Sequence, residues 1–462
     1  MRAIRETRQV CTFPESLLIS IWQDQIRDRT DLVTEEGEPI TVIYPGRLNR
    51  DQGADLLDAV IATSQGVKKG DIEVHVKSSS WRAHRHHHDP AYNRVILQVV
   101  FWHDSGEAAM LQSGSRIPTL AVHKYLPHPA GACAYPTHRP TNALLPCKLT
   151  SERRDTSRLT AFMDRAGSHR FLAKAAAFQA DLARTEVAQS LYQGIMAALG
   201  YTKNKDPFSE LARRLPLSTL ESTISPGVSK SECLARQQAL LLGTAGLLPS
   251  QCLNWQPGKH EQWINKLEEM WTSVPRAGAM SENDWHFTRV RPSNYPARRI
   301  AAMSYLVYRF RGKGLLTEVI HPLKETTVTG GKQALESIFL VTADGYWANH
   351  VDTIMPSRQR IPTLIGSARA ADIVVNVLLP FTFAWSQLTR QPDLARKSVE
   401  LYQGYPRLAV NVVERHMCHQ LRLSGDLVNS ARRQQGLIHI YKTLCSQGQC
   451  HCCPLNPGRN QL

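Results

Sequence analysis

The segment Gly70–Trp81 (GDIEVHVKSSSW) constrains the fold of this chain most strongly, because its polarity alternates residue by residue. Three apolar residues alternate with Glu73, His75 and Lys77. Successive side chains of a β-strand point to opposite faces, so such a pattern predicts a strand with one face in a core. The other face then carries an acid, an imidazole and an amine in a row.

A second strand is predicted just upstream, at Asp55–Thr63, where the sequence reads DLLDAVIAT. The stretch Ser64–Gly70 (SQGVKKG) is typical of a hairpin turn, and a strand at Asp71–Lys77 follows it. Two antiparallel strands joined in this way would bring Asp55 close to Glu73. The sequence therefore predicts a pair of carboxylates at one end of a hairpin.

Paired carboxylates have a known chemical use, because hard oxygen ligands hold Mg²⁺ or Mn²⁺. We expect Asp55 and Glu73 to bind such an ion, with the Val74 carbonyl as a further ligand. The ion would lower the pKa of a bound water, and Lys77 or His75 would orient or deprotonate that water. The alternative is a solvent-facing strand whose charges pair only with each other.

The surrounding pattern predicts an α/β domain over residues 1–125. A helix at Phe13–Ile26 is followed by apolar strands at Ile40–Tyr44, Val95–Trp102 and Thr119–Tyr125. Glu15 lies in the first turn of the helix, where an acid is favoured by the helix dipole. A third acid for the metal site is the other interpretation of Glu15.

Helical periodicity begins near residue 151 and continues to about residue 444. Residues 126–150 are rich in Pro, His and Ala, and we interpret them as a linker that contains Cys147. Residues 445–462 form a cysteine-rich end segment. The predicted order is an α/β domain with a mixed sheet, a mainly helical region and a C-terminal cysteine cluster.

The segment after the strand, WRAHRHHHDPAYNRV, is rich in histidine. Such tracts can bind transition metals, form a rim that faces phosphate, or lie exposed without a role. The spacing does not match a tetrahedral motif. We therefore expect His84, His86 and Asp89 to flank the carboxylate site and not to form a separate metal centre.

Four of the ten cysteines, Cys445, Cys450, Cys452 and Cys453, lie within the last 18 residues. Thiolates at this density favour zinc or an iron–sulfur cluster, and four ligands are usual. Beside Cys445, Cys450 and Cys453, the fourth ligand is either Cys452 or the distant Cys147. A reduced tail without a metal is the alternative.

The formal net charge is +15, and it is unevenly distributed. Residues 1–150 contain 17 Lys and Arg against 16 Asp and Glu, whereas the remainder contains 38 against 24. A nucleic acid is the natural partner for such a basic region, although solubility would also account for the charge. Candidate contacts to a phosphate backbone are Arg289, Arg291, Arg298 and Arg299.

The location is predicted from hydropathy. No run reaches the roughly 18 apolar residues of a membrane span, and the N-terminal MRAIRETRQV has no apolar signal core. We therefore expect a cytoplasmic protein without a membrane partner. The sequence does not predict an oligomeric state.

Several motifs in order resemble the bacterial family catalogued as domain of unknown function 2851. They are PGRLNRDQGADLLDA, GDIEVHVKSSSW, HRHHHDPAYNRVILQVV, LLPCKL, ALLLGTAGLL, RVRPSNYPARRI, VVNVLLP and QQGLIHIYKTLCSQGQCHCC. The resemblance implies an acid at Glu15 and a cysteine set of Cys147 with Cys445, Cys450 and Cys453. Gln98 departs from the family pattern, which has histidine there.

The N-terminal order also resembles the PD-(D/E)XK nuclease superfamily, in which an acid opens one strand and E-x-K lies on the next. The resemblance implies a restriction-endonuclease-like sheet and Mg²⁺-dependent cleavage. His75 occupies the lysine position, and Lys77 stands two residues further. Some members of that superfamily hold an iron–sulfur cluster with a cysteine plan similar to the one in this chain.

The leading hypothesis is a divergent metal-dependent nuclease of DNA or RNA. A second hypothesis is a non-enzymatic nucleic-acid-binding protein with a structural zinc or iron–sulfur site. A third is a metal-dependent hydrolase of a small substrate, which predicts a closed pocket around Glu73 in place of an open basic groove.

Overall fold

A mixed β-sheet organises the N-terminal part of the chain in the computed structural model, which describes residues 14–26, 28–126, 156–252, 262–273, 278–325 and 331–455. Its strands are β1 (Leu32–Val33), β2 (Pro39–Tyr44), β3 (Arg47–Leu48), β4 (Leu56–Thr63), β5 (Gly66–Lys77), β6 (Val95–Trp102) and β9 (Thr119–Ala121). The order is β1-β2-β4-β5-β6-β9, with β3 beside β4. The pairs β5–β6 and β6–β9 are parallel, and the other pairs are antiparallel.

One face of this sheet is covered by helix α1 (Glu15–Ile21), which continues as a π-helical turn to Ile26. Leu18 and Trp22 of this segment pack against Ile72 and Val74 of β5 in one apolar cluster. The even-numbered residues of β5 thus face the core, as the alternation predicts, and the odd-numbered ones face the other side.

Smaller elements complete the sheet domain. They are α2 (Ser80–Ala83), the hairpin of β7 (Ala109–Met110) with β8 (Arg116–Ile117), and a 3₁₀ turn at Val122–Tyr125. The predicted strand Thr119–Tyr125 is therefore half strand and half turn. The predicted turn Ser64–Gly70 is also shorter than expected, because Thr63 already pairs with Gly66 and the strand begins there.

The rest of the chain is mainly helical, which confirms the predicted fold class. The helices are α3 (Thr156–Leu182), α4 (Val187–Leu199), α5 (Lys205–Arg214), α6 (Leu217–Ser222), α7 (Lys230–Thr244), α8 (Gln262–Thr272), α9 (Pro296–Arg309), α10 (Leu315–Glu325), α11 (Gly331–Phe339), α12 (Ser367–Ile373), α13 (Leu379–Leu388), α14 (Pro392–Gly404), α15 (Val412–Gln420) and α16 (Ala431–Thr443). A two-stranded sheet pairs β10 (Val341–Thr342) with β11 (Thr363–Ile365).

The chain divides into two compact units that do not follow the sequence order. The first comprises residues 1–163, 410–427 and 437–462, and the second comprises residues 164–409 and 428–436. The C-terminal residues of the first unit are connected to the sheet by side-chain hydrogen bonds. Tyr441 donates to Asp58 at 2.6 Å, and the Tyr44 hydroxyl lies 2.6 Å from a ring nitrogen of His416. The expected helical region 151–444 thus contributes to both units. Apart from Leu126, the predicted linker 126–150 lies outside the described residues.

One continuous helical stretch, Ser367–Leu388, has the length and composition that could cross a membrane. It consists of α12, a π-helical turn at Val374–Leu378 and α13. Its most apolar window has a mean hydropathy of 1.3 and is 67% buried inside the protein. The core helix of a globular unit meets the same criteria, so the stretch is weak grounds for a membrane span.

Arg298 and Arg299 lie inside the second unit, which corrects their assignment as phosphate contacts. Arg298 of α9 is fully buried, and its guanidinium donates to the carbonyl oxygens of Trp347, His350, Ile361 and Thr363. Arg299 is 5% exposed and donates to the Leu364 carbonyl and to Asn294. Because both guanidinium groups are buried and donate to groups inside the protein, they cannot contact a phosphate backbone. Arg289 and Arg291 are exposed.

Replacing Arg298 by Met should destabilise the protein strongly, because several buried carbonyl groups would lose their donor. We expect a loss of about 3 kcal/mol or more, and hence a melting temperature lower by roughly 6 °C or more. The matched control is Arg291→Met at an exposed position, for which we expect a change within about 0.5 kcal/mol. Equal melting temperatures for the two variants would contradict the assignment.

Candidate active site

The hairpin of β4 and β5 holds two carboxylates by a reciprocal exchange with the backbone. The Asp55 N–H donates to Oε2 of Glu73 at 3.1 Å, and the Val74 N–H donates to Oδ2 of Asp55 at 3.1 Å. Leu56 pairs with Ile72 at this end of the hairpin, so Asp55 directly precedes the paired region. The structure thus brings together the two acids that the hairpin predicts. Each carboxylate keeps its second oxygen for another partner.

Neither carboxylate of this pair has a Lys or Arg partner among the described residues. No Lys or Arg of that part of the chain lies within 4.0 Å of Asp55 or Glu73, although Glu73 is only 6% exposed. Nearby Asp58 and Asp71 differ, because Arg94 lies 3.2 Å and 3.6 Å from them. A buried negative pair without a compensating cation costs free energy, which a bound cation would offset.

The electrostatics of the pair reflect this lack of compensation. Burial raises the pKa of Asp55 to about 7, and the charge of Glu73 contributes. Burial also raises the pKa of Glu73 to about 8, with a smaller contribution from the charge of Glu15. The pair therefore retains protons near neutral pH. A divalent cation can replace those protons.

Two imidazoles lie beside the remaining oxygen of Glu73, and a third imidazole lies beside them. His75 follows Glu73 by two residues on the same face of β5, and its Nε2 lies 3.5 Å from Glu73 Oε1. His86 Nε2 lies 3.3 Å from the same oxygen. His84 Nδ1 lies 3.2 Å from His75 Nε2. One ring nitrogen of each histidine lies within 4.8 Å of the other two.

The chain after β5 turns back sharply to place these rings. α2 buries Trp81, whose ring meets His75 and His86 edge-on at 6.5 Å and 5.3 Å between centroids. Arg85 then adopts a left-handed conformation (φ 59°), so His86 turns inward at the start of a 3₁₀ turn. Tyr92 covers His86, with ring centroids 3.9 Å apart.

A buried glutamine fixes the far side of His75. Gln98 of β6 stands beside Glu73 in the parallel register and is 1% exposed. Its amide nitrogen lies 3.2 Å from His75 Nδ1 and 3.3 Å from the Ser78 carbonyl oxygen, and Thr119 donates to its amide oxygen. With the amide nitrogen facing Nδ1, the ring proton of His75 is on Nε2.

Both inner imidazoles are neutral in this environment. Burial lowers the pKa of His75 to about 3, and its histidine neighbours contribute. Burial also lowers the pKa of His86. Neutral imidazole is the form that binds metal ions, so the site combines two oxygen donors with nitrogen donors.

The other residues that the sequence predicts for the site lie at the edge of this group of carboxylates and imidazoles or away from it. Lys77 is mainly exposed and lies 3.8 Å from Asp104, at the end of β5. Asp89 caps the following turn, where its side chain accepts from the Ala91 N–H at 2.9 Å. Glu15 is exposed at the start of α1, and its charge acts on both Asp55 and Glu73.

The C-terminal cysteines lie on two short turns after α16, at Cys445–Gln447 and Cys450–Cys452, and the next residue, Cys453, is buried. Gly448 between them has a φ of 66°, and a Cβ there would lie 3.0 Å from a methyl carbon of Val60. A glycine is thus required where the turns approach β4. Cys147 lies outside the described residues.

Sequence reasoning missed three members of the site. Gln98 was noted only as a departure from a family pattern, although a polar residue in the apolar run VILQVVFW is itself a signal. Trp81 and Tyr92 carry no local pattern that predicts their packing on the histidines. Their role depends on the left-handed turn at Arg85, which the sequence does not indicate.

The carboxylate pair should make the metal-free protein less stable as pH rises. A carboxyl group with a raised pKa in the folded state stabilises the protein while it is protonated, and this contribution is lost as pH rises through the folded pKa. In chelator, we expect the melting temperature of wild type to fall between about pH 6.5 and about pH 8.5, and Glu73→Gln to show a smaller fall.

The matched control for this experiment is Glu107→Gln at an exposed, salt-bridged carboxylate. It should keep the wild-type slope. The histidines act in the opposite direction and mainly below about pH 6.5, because their pKa values are lowered in the folded state. Identical slopes in all three proteins would contradict the raised pKa values.

Comparison with known proteins gives a family but no activity. A family model described as "Protein of unknown function (DUF2851)" matches residues 15–408. No curated protein and no solved structure matches the chain. The match includes α1, the whole sheet, the histidine tract and the helices as far as α14, so it extends over most of both units. The chain belongs to the DUF2851 family of proteins of unknown function.

Proposed function

We propose that the protein is a divalent-metal-dependent nuclease that hydrolyses phosphodiester bonds of DNA or RNA. The observation that carries the proposal is the pair formed by half-buried Asp55 and buried Glu73, which has no Lys or Arg partner among the described residues. Its two remaining carboxylate oxygens are hard ligands that suit Mg²⁺ or Mn²⁺. A bound ion would supply Lewis acidity toward the scissile phosphate and lower the pKa of the attacking water.

The position of the pair supports a phosphate substrate. Asp55 precedes one strand and Glu73 lies on its antiparallel neighbour, which continues into the parallel strand β6. This order is similar to that of the PD-(D/E)XK nucleases, and that similarity remains an analogy of arrangement. In hydrolysis the water oxygen bonds to phosphorus, the bridging P–O bond breaks, and the leaving oxygen takes a proton.

The charge of the chain supports a polyanionic partner. The excess of 14 positive charges lies in residues 151–462. Exposed basic residues such as Arg289 and Arg291 would contact the phosphate backbone without reading its sequence. The proposal places the protein in the cytoplasm, where nucleic acid is available.

We propose that the group that orients or deprotonates the attacking water belongs to the side chains around Glu73. Lys77 is paired with Asp104 and mainly exposed, so the proposal does not give it this role. The imidazoles beside Glu73 Oε1 are the nearest candidates, since His75 and His86 lie within 3.5 Å of that oxygen.

A structural metal at the C-terminal cysteines is a separate part of the proposal. Cys445, Cys450 and Cys453 lie close together in sequence on the turns after α16, and thiolate donors favour zinc or an iron–sulfur cluster. Cys147 is the proposed fourth ligand. Elemental analysis of anaerobically purified protein checks this part, and folded protein with neither zinc nor iron would contradict it.

The nuclease proposal predicts metal-dependent cleavage that needs both acids. Purified protein with Mg²⁺ or Mn²⁺ should cut at least one of linear, nicked, branched or single-stranded DNA or RNA. Asp55→Asn and Glu73→Gln should lower the cleavage rate at least about a hundredfold, because each removes a charged metal ligand.

Glu107→Gln is the matched control for these variants and should cleave at the wild-type rate. Equal cleavage by wild type, Asp55→Asn and Glu73→Gln on every substrate would contradict the proposal. Salt-sensitive binding without cleavage would favour a nucleic-acid-binding protein. Hydrolysis of small phosphoesters alone would favour the small-substrate hydrolase.

A further inference from the structure

The histidine side of Glu73 forms a compact group of three imidazoles, those of His75, His84 and His86, and one ring nitrogen of each lies within 4.8 Å of the other two. His84 Nδ1 lies 3.2 Å from His75 Nε2. Glu73 Oε1 adjoins the group, at 3.5 Å from His75 Nε2 and 3.3 Å from His86 Nε2. We propose that the three histidines bind a transition-metal ion of the Zn²⁺ class in tetrahedral coordination, with the fourth position open to a water molecule.

The spacing of the donors supports tetrahedral coordination. In a tetrahedron, donors at the usual zinc–nitrogen distance of about 2.0–2.1 Å stand about 3.4 Å apart. The 3.2 Å between His84 Nδ1 and His75 Nε2 is close to that value, and one ring nitrogen of each histidine lies within 4.8 Å of the other two. A small closing of the group would place the three nitrogens around one ion.

His86 provides an independent observation. Its side chain is 9% exposed, and its Nε2 has no hydrogen-bond partner. A buried polar atom without a partner costs free energy, so its retention here calls for a ligand. The atom faces Glu73 Oε1, which is the oxygen not used by the Asp55 N–H.

The donor set selects the class of metal. Three imidazole nitrogens suit Zn²⁺, Co²⁺ and related ions, whereas Mg²⁺ prefers oxygen and water in octahedral geometry. This site is therefore distinct in chemistry from the carboxylate pair, although Glu73 Oε1 lies beside two of its histidines. The sequence expectation that His84 and His86 only flank the carboxylates is replaced by a ligand role in this proposal.

Gln98 is the positioning residue for this site. For Nε2 of His75 to bind a metal, the ring proton must move to Nδ1, and Nδ1 then needs an acceptor. A half-turn of the Gln98 amide would present its oxygen to Nδ1, in place of the nitrogen that lies there at 3.2 Å. An amide can serve in either direction because it carries both a donor and an acceptor.

The site also offers an explanation for the histidine at the position of a nuclease lysine, a point that rests on the proposed function. A Zn²⁺-class ion lowers the pKa of a bound water to about 7. Such an ion would make a lysine unnecessary for water activation. His75 would then act as a ligand and not as a base.

Cobalt binding tests the site directly. Full-length protein is stripped of metal with a chelator and titrated with Co²⁺, whose visible absorption is intense in tetrahedral sites and weak in octahedral ones. We expect an intense visible band in wild type, and at least about tenfold weaker binding in His84→Ala and His86→Ala. Because the proposed cysteine site would also bind cobalt, the readout is the difference between wild type and each variant.

The matched control is His88→Gln, since His88 is an exposed residue of the same tract and stacks on His87. It should bind cobalt like wild type. Gln98→Glu should bind more tightly than Gln98→Leu, because a carboxylate accepts the Nδ1 proton of His75.

The proposal is overturned if His84→Ala binds cobalt like wild type, and this variant suits the test because His84 is exposed. Equal losses in His84→Ala and His88→Gln would also overturn it. Failure of the nuclease proposal is distinguishable: the histidine-dependent cobalt band would then persist in a protein that cleaves no nucleic acid. Cleavage without that band would reject only the metal site.

Discussion

The exchange of hydrogen bonds between Asp55 and Glu73 and the opposite backbones is the interaction on which the candidate site depends. It fixes both carboxylates at 3.1 Å from N–H groups and leaves one oxygen of each for another partner. Backbone donors hold carboxylates in place without neutralising them fully. The two free oxygens make the site suitable for a cation, which can replace the protons that the pair retains near neutral pH.

The packing around β5 supports this interaction from both faces. On one face, Ile72 and Val74 pack in the apolar core beneath α1. On the other, Trp81 and Gln98 hold the imidazoles beside Glu73. The strand therefore cannot slip by one residue without exposing its apolar set and burying its charged set.

The sequence predicts the parts of this site that follow from strand periodicity and fails where tertiary packing decides. The alternation of apolar and polar residues is sufficient to predict which face of β5 is buried. Together with the turn, it also predicts the hairpin with β4 and the proximity of Asp55 to Glu73. The sequence does not predict that His86 points inward, because this depends on the left-handed conformation of Arg85. Nor does it predict that Arg298 and Arg299 are buried. Basic residues near a helix start look alike in sequence whether they face solvent or carbonyl groups.

The central claim is that the cluster around Glu73 binds a divalent cation. The most direct measurement is an anomalous difference map from crystals of the full chain soaked in Mn²⁺ and, separately, in Zn²⁺. The account predicts a manganese peak about 2.0–2.3 Å from a Glu73 carboxylate oxygen and a zinc peak about 2.0–2.1 Å from ring nitrogens of His75, His84 and His86. Maps from well-ordered crystals with no peak within bonding distance of Glu73, Asp55 or these histidines would contradict it.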